Sequence, residues 1–461
     1  MRTLLLLFLY STTLLGQTSS PKEFTFAEYM GYVKKYHPMV KSANLEISQA
    51  QANLMMARGA FDPKIEIDFD QKQFKDKEYY SILNSSFKIP TWYGIELKAG
   101  FDNNEGVYIN PENTVPTVGL AAIGINIPLG QGLFINQRMA DLRKAKLQIQ
   151  VSQSERKLQT VAVLYDAAVA YFNWKKNYSE VQLYQQYVSN ATTRNTGIAS
   201  LIKNGDKPAI DSIEAGIILK NRRLNLEDAL LKLAKSKLEL ANYLWLENNI
   251  PIELQDDLIP EEKLTESIKE LLKTDELLDP NNAIASHPKI NALENKINIL
   301  TVDRKLKSNQ LLPKIDLGYS LLSEPTDFNQ SNTKNYKVGL NFYFPLFLRK
   351  ERGSLQLAKF KIQDTNFELE LEKVQLTTKI KAQRTEIKSL ENQMKLSADL
   401  VNDYTTMLSS EERLFSFGES SIFLLNTREN SVVSAQLSNI ALENRYYNAK
   451  ATLFKILANP D

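Results

Sequence analysis

Residues 64–74 read Lys-Ile-Glu-Ile-Asp-Phe-Asp-Gln-Lys-Gln-Phe, and residues 336–344 read Tyr-Lys-Val-Gly-Leu-Asn-Phe-Tyr-Phe. In the first, Ile65, Ile67 and Phe69 alternate with Glu66, Asp68 and Asp70. In the second, Tyr336, Val338, Leu340, Phe342 and Phe344 alternate with Lys337, Gly339, Asn341 and Tyr343. Successive side chains of a strand point to opposite faces, so each stretch predicts a strand with one apolar and one polar face. Over about ten residues the pattern fits strands that cross a membrane, apolar side to lipid and polar side to a lumen. It equally fits a half-buried antiparallel sheet in water. Tyr79, Tyr80, Trp92, Tyr93, Tyr319 and Tyr343 gather near strand ends, where a membrane interface favours aromatic rings.

Outward from these strands the chain repeats itself. His37-Pro38 and Pro63-Lys64-Ile65 recur as His287-Pro288 and Pro313-Lys314-Ile315, both at the same offset of 250 positions. Helical stretches lie between the paired signals, at 40–58 and 290–308. Each copy continues into a strand region, 63–128 and 313–345, closing on Pro128-Leu129 or Pro345-Leu346. A long helical stretch follows, then a break at Gly205 or Gly418, then a second helical stretch. The sequence thus divides into a signal peptide over 1–17, a first repeat over 18–247, a linker over 248–283 and a second repeat over 284–461. The linker contains Pro251, Pro260 and Pro280 and reads as irregular, with a short helix near 264–272.

The first 20 residues carry Met1-Arg2, an apolar run from Leu4 to Leu15, and then Gly16-Gln17-Thr18-Ser19-Ser20. That is the pattern of a secretory signal, and the run is too short to span a bilayer as a helix. An exported chain of this kind is expected either to stay soluble in an envelope compartment or to form a membrane β-barrel.

The helices carry a sustained heptad. Leu376, Ile380, Ile387, Leu390, Met394, Val401, Tyr404, Leu408 and Phe415 follow steps of three and four, with Gln383, Ser397 and Glu411 as polar interruptions. Val433, Leu437, Ile440, Asn444, Tyr447, Ala451 and Phe454 repeat the spacing. A 3.5-residue period predicts coiled-coil packing. The stretch 134–201, if continuous, is a rod of roughly 100 Å. Such a rod needs neighbours along its length, from the other repeat or from other subunits. On the helices alone, an antiparallel bundle or a spectrin-like rod is the competing architecture.

Composition removes several functions. Among 461 residues, 56 Lys and Arg face 54 Asp and Glu, a net charge of +2, which excludes a strongly basic nucleic-acid binder. Cysteine is absent, so disulfides, thiolate metal sites, a Cys nucleophile and a lipidated mature N-terminus are excluded. His37 and His287 both precede Pro and read as helix-boundary residues rather than ligands or bases. Paired carboxylates such as Glu66 and Asp68 suit acid–base work in principle, but on a strand they read as residues lining a lumen. No enzyme activity, cofactor or metal is expected.

Two to four strands per repeat leave open edges, which lipid does not tolerate, so a membrane reading requires several chains to share one barrel. The full set of signals resembles the TolC-like outer membrane efflux protein family. Its carriers are Phe26-Ala27-Glu28-Tyr29 through His37-Pro38, Ala57-Arg58-Gly59-Ala60-Phe61-Asp62-Pro63, Ile127-Pro128-Leu129 with Gly132, and Arg138 with Arg143. The second repeat adds Ser286-His287-Pro288, Leu311-Leu312-Pro313 and Phe344-Pro345-Leu346 before Gly353. The resemblance implies a mainly α protein with membrane β-structure: long coiled-coil helical hairpins plus strands contributing to a shared trimeric β-barrel, with internal duplication. It implies a homotrimer in the outer membrane of a Gram-negative bacterium, with four strands per chain and a helical tunnel in the periplasm. The partners it implies are outer-membrane lipid, a periplasmic adaptor (membrane fusion) protein and an inner-membrane efflux or ABC pump. A periplasmic coiled-coil adaptor or scaffold without a barrel is the alternative, separable by outer-membrane extraction.

One departure stands out. From Pro63 to Pro128 the first strand region is far longer than its counterpart from Pro313 to Pro345. The segments 79–89 and 92–101 have strand character, with a turn at Pro90-Thr91 and a polar loop over 102–116. They predict an extra hairpin, or longer strands projecting beyond the barrel.

The resemblance places the tunnel entrance at the helical breaks. Its candidates here are Lys207, Asp211, Glu214, Glu419 and Asn426. The family often sets an acidic ring there from the second repeat, where this chain has Leu424 and Thr427. Asp211, with Glu214 or Glu419, is therefore the candidate for the charge at the constriction; its plainer role is a solvated or capping residue at a helix start. Leu201, Ile202, Gly205, Phe415, Phe417, Gly418 and Ile422 mark the tips. The glycines suit tight connections, and the apolar residues either dock an adaptor or seal the hairpin internally.

Overall fold

The computed structural model describes residues 22–255, 257–274, 280–327 and 334–459. The signal peptide over 1–17 and part of the linker lie outside them. The chain opens with a short strand Lys22–Phe24 (β1) and helices Phe26–Tyr36 (α1) and Pro38–Gly59 (α2). Four strands follow, Lys64–Phe74 (β2), Lys77–Pro90 (β3), Glu96–Glu105 (β4) and Leu120–Pro128 (β5), then the helices Gln137–Lys203 (α3) and Ala209–Ala241 (α4). Leu258–Pro260 (β6), Leu264–Leu272 (α5) and Pro280–Ala285 (α6) lead to Pro288–Asn309 (α7). The strands Lys314–Ser323 (β7) and Tyr336–Tyr343 (β8) and the helices Arg349–Ser416 (α8) and Ile422–Leu457 (α9) complete the order.

These elements form two compact units, and each draws on both halves of the chain. One comprises Met1–Pro38, Val163–Glu276 and Gln383–Phe454; the other comprises Met39–Ala162, Leu277–Ala382 and Lys455–Asp461. The first is here called the tip unit and the second the strand unit.

In the tip unit an aromatic cluster fixes the N-terminal segment. Thr25 and Glu28 form a capping box at the start of α1, satisfying two amides that the helix cannot pair. Phe26 and Tyr29 are fully buried against Tyr171 and Phe172 of α3, with ring centroids 5.3–5.4 Å apart. Strands β1 and β6 pair in parallel. The Tyr171 hydroxyl donates to the Phe24 carbonyl at 2.6 Å and accepts from the Glu261 amide at 3.1 Å. In the linker the expected short helix stands as α5, burying Leu264, Ile268 and Leu272, while the pairing of β6 is order that the prolines do not predict.

In the strand unit the described residues form one antiparallel sheet of six strands, in the order β2-β3-β4-β5-β7-β8. The sheet includes an extra hairpin, one of the two expectations for the long first strand region, and so has six strands where the resemblance implies four in the barrel. Boundaries move too. Trp92 lies in the turn after β3, and β4 runs on to Glu105, so residues 102–105 are strand rather than loop. The reason is packing. Trp92 stacks on Phe61 at 5.7 Å and joins the cluster of Ile135, Met139, Ala140 and Leu306, so its ring serves the helix base, not the pleat.

The heptad holds through its polar interruptions. Leu376, Ile380, Ile387 and Leu390 are buried, and so are Gln383 and Ser397. Gln383 donates to Glu386 at 2.9 Å, which satisfies its amide in the seam. Leu390, 1% exposed, is a knob with no route to solvent. Leu390→Ala is expected to cost about 2–4 kcal/mol, read as a fall in the thermal unfolding midpoint of the detergent-solubilised protein. An unchanged midpoint would mean that this seam is not packed.

Candidate functional site

Both long helices end in the same way. After α3, the Gly205 amide donates to Ile202 at 3.0 Å and the Asp206 amide to Leu201 at 2.9 Å. After α8, the Gly418 amide donates to Phe415 at 3.1 Å and the Glu419 amide to Leu414 at 2.9 Å. This is the Schellman pairing, which needs a left-handed residue after the helix. Gly205 has φ +84° and Gly418 φ +78°, a region that L side chains enter at a cost of about 1 kcal/mol or more.

Behind the tips, still within the tip unit, sits a buried carboxylate. Glu429 on α9 is 1% exposed. Arg194 on α3 forks onto it, with Nη1 3.1 Å from Oε2 and Nη2 3.0 Å from Oε1. Arg222 on α4 approaches at 3.6 Å and donates to Asn430 at 2.6 Å. The Arg222 guanidinium also lies over the Tyr187 ring at 5.7 Å. Asn426 joins the network: its Oδ1 accepts from Arg194 at 3.3 Å and its Nδ2 donates to Glu214 at 3.1 Å. Three helices are thus tied by one ionic cluster. Removing one partner would strand a charge in low dielectric.

The structure sorts the candidates named from sequence. Asn426 is buried in the cluster, and Glu214 is its partner rather than a free lumen charge. Asp211 is half-buried in the first turn of α4, where a negative charge complements the helix dipole. Glu419 is exposed. Lys207 lies over the Phe415 ring at 5.0 Å. Ile202 and Phe415 pack on the buried Ile198, Ala215 and Ile422, so these three tip residues seal the hairpin. Phe417 stays 72% exposed, Leu201 is half-buried, and Gly205 and Gly418 make the turns. Sequence reading missed Arg194, Arg222 and Glu429. A signal existed: Glu429 falls on the apolar stripe Ile422, Leu425, Val432, where a charge needs a partner.

Each unit also presents an apolar stripe that its own residues do not cover. On α4, Ile210, Ile217, Leu224, Leu231 and Leu238 recur every seven residues, all more than half exposed. On α8, Leu357, Phe360, Phe367, Leu371 and Val374, also more than half exposed, follow steps of three, four and seven in the strand unit. These are heptad seams without a facing helix.

The sheet has two unlike faces. Register places Lys64, Lys88, Lys98, Gly124, Ser320 and Lys337 in one row across all six strands. On that face Lys88 pairs with Glu66, and Glu96 pairs with Arg138 of α3 at 2.8 Å. The opposite face carries the row Ile65, Phe87, Ala99, Ile123, Leu321 and Tyr336. A cavity of about 860 Å³ on the polar face touches every strand of the sheet.

The histidines take structural roles. His287 caps α7: its Nδ1 accepts from the Lys289 amide at 3.1 Å and its Nε2 donates to Ile456 at 2.9 Å. Burial holds its imidazole below the ordinary histidine range. His37 stacks on Tyr243 at 5.7 Å. Among the described residues no cluster of His, Asp or Glu is arranged to hold a metal, and no helix is long and apolar enough to cross a membrane.

The model of the outer membrane efflux protein family matches residues 280–459, from α6 to the end of α9. That segment is similar to an outer membrane efflux protein domain. No curated protein matches it by sequence. Among solved structures it is similar to a membrane protein from Pseudomonas aeruginosa, at 15% identity and TM-score 0.66 over 94% of this chain and 92% of that one. It is similar to the CmeC outer membrane channel of Campylobacter jejuni, at 13% and 0.64 over 94% and 85%. The open state of the MtrE outer membrane channel of Neisseria gonorrhoeae gives 13% and 0.66 over 94% and 88%. At such identities these are likenesses of fold. The matched segment includes Glu429 but neither arginine, so the ionic cluster joins it to the preceding half.

A double-mutant cycle on Arg194→Met and Glu429→Gln tests the cluster. A coupling of about 2 kcal/mol is expected for a forked, buried pair. A coupling near zero would show that the two side chains act separately.

Proposed function

We propose that three copies of this chain form the outer-membrane duct of a tripartite export system. The sheets of the copies make one barrel, apolar face to lipid and polar face to the lumen. The helices make a tunnel into the periplasm of a Gram-negative cell. The duct is passive, and receives cargo from an inner-membrane efflux or ABC pump through a periplasmic adaptor. The two halves of the chain descend from one duplicated unit.

One observation carries this reading: a sheet with one apolar and one polar face, both edges unpaired, in a chain similar over 280–459 to an outer membrane efflux protein domain. Ile65, Ile67 and Phe69 on β2 and Val338, Leu340 and Phe342 on β8 are 54–73% exposed, an arrangement suited to lipid and costly in water. The uncovered heptad stripes on α4, in the tip unit, and on α8, in the strand unit, add further surfaces suited to association. A soluble scaffold would leave all three surfaces wet.

The tips form the gate. Glu429 with Arg194 and Arg222 latches α9 to α3 and α4, and Asp211, with the exposed Glu419, supplies negative potential at the entrance. Phe417, and Leu201 beside it, offer apolar contact to the adaptor, while Ile202, Phe415 and Ile422 hold the hairpin shut beneath.

Planar-bilayer recording tests the duct and the gate together. The wild-type protein, extracted from outer membranes, is expected to give small, cation-selective steps. Asp211→Asn should lower the cation preference, and Glu429→Gln should raise the conductance by loosening the latch. No conductance, with the protein in the soluble periplasmic fraction, would contradict the duct. Unchanged selectivity in Asp211→Asn would remove the charge from Asp211.

A further inference from the structure

We propose that each copy supplies six barrel strands, with β2 of one copy paired antiparallel to β8 of the next. The inference rests on the shared-barrel reading and deepens it, because it sets the width of the exit.

The hairpin β2–β3 is the segment in question. A four-strand contribution would use β4, β5, β7 and β8 and leave β2–β3 projecting. Three observations argue against projection. First, β3 pairs with β4 over ten consecutive positions, from Ser81 opposite Glu105 to Pro90 opposite Glu96. Second, the base of the hairpin is fixed to the helices. The Asn136 amide donates to the Trp92 carbonyl at 3.2 Å, and Arg138 holds Glu96 at 2.8 Å. Third, the cavity on the polar face is lined from Glu66 and Asp68 on β2 through to Lys337 and Asn341 on β8. The hairpin therefore curves around the same lumen as the other strands.

The two outer strands lack the usual protection of an edge. Within β2 and β8 there is no proline, and no charge points out on the apolar face. The one irregularity lies at Lys72/Gln73, beside the tip of the hairpin. Natural edges carry such devices to refuse a partner. Here the apolar face runs from Ile65 to Phe69 on β2 and from Tyr336 to Phe342 on β8, which marks them as interior strands of a larger sheet. Direction agrees. Every pairing in the sheet is antiparallel, and the number of strands is even, so β2 and β8 run in opposite senses. A second copy of this chain continues the pattern without a break.

Three such copies give about eighteen strands, and barrel diameter grows roughly linearly with strand number. The exit is then about one and a half times as wide as a twelve-stranded one, in the range where barrels hold an open aqueous channel. The cargo class follows: bulky solutes pass, and discrimination by size falls to the helical tips.

The absence of cysteine allows a clean test. Ile67→Cys on β2 is combined in turn with Tyr336→Cys, Val338→Cys, Leu340→Cys and Phe342→Cys on β8, and oxidised in outer membranes. The same four are combined with Ala99→Cys on β4. The expected result is a ladder of covalent dimers and trimers from one β2–β8 combination and none from β4–β8. A ladder from β4–β8 alone would overturn the inference and leave the duct standing on four strands per copy. No ladder from either set, with the protein in the soluble fraction, would overturn both. Imaging the wild-type assembly down its axis is the measurement without substitutions. A barrel of twelve-strand width would overturn the inference there too.

Discussion

The backbone of an edge strand in lipid has nowhere to place its amides and carbonyls. Water is absent, and each unpaired group costs several kcal/mol. The strands β2 and β8 place such a row at each side of the sheet. Nothing within the described chain covers either one. In the proposed duct that constraint is met with copies of the same chain, and the other surfaces fit it. The apolar rows face outward, the charged rows line the cavity, and the helical stripes on α4 and α8 wait for neighbours at heptad spacing. A sheet that closes only in company makes folding and assembly one process.

At the other functional region the constraint is electrostatic. A carboxylate at 1% exposure survives only with partners, and Glu429 takes them from two different helices. Such a cluster is weak as a source of stability, because desolvation offsets most of its attraction. It is strong as a selector of one arrangement, since breaking any contact leaves a buried charge. That is the behaviour required of a latch: little energy stored, and a definite position held. The paired Schellman turns add to this, because each tip reverses direction in a fixed geometry rather than through a loose loop.

Much of the fold was legible from periodicity. Strand β2 spans the residues that alternate in the sequence, and the rod read over 134–201 is the helix Gln137–Lys203. Gly205 and Gly418 marked the tips because positive φ is a local demand. The sheet was less legible. Strand character over 79–101 was visible, but whether the hairpin joined or projected depended on Trp92 and Glu96 meeting α3 and Phe61, contacts between distant positions. In the linker the helix over 264–272 was legible, but the strand β6 was not, because its order comes from β1 and Tyr171. At the tips, Asn426 was named for the entrance without its partners being visible in the sequence. Its polarity suggested a lumen, yet Arg194 and Glu214 hold it inside. Charged residues on apolar stripes were the overlooked signal, since Glu429 and Arg222 each interrupt a buried heptad.

The central claim is that β2 and β8 are edges only in the single chain. Amide hydrogen exchange of the wild-type protein in outer-membrane vesicles tests it directly. The outward-facing amides of β2 and β8 should exchange as slowly as those of β4 and β5 in the middle of the sheet. Rapid exchange along β2 and β8, with β4 and β5 protected, would mean open edges in water and would contradict a shared barrel.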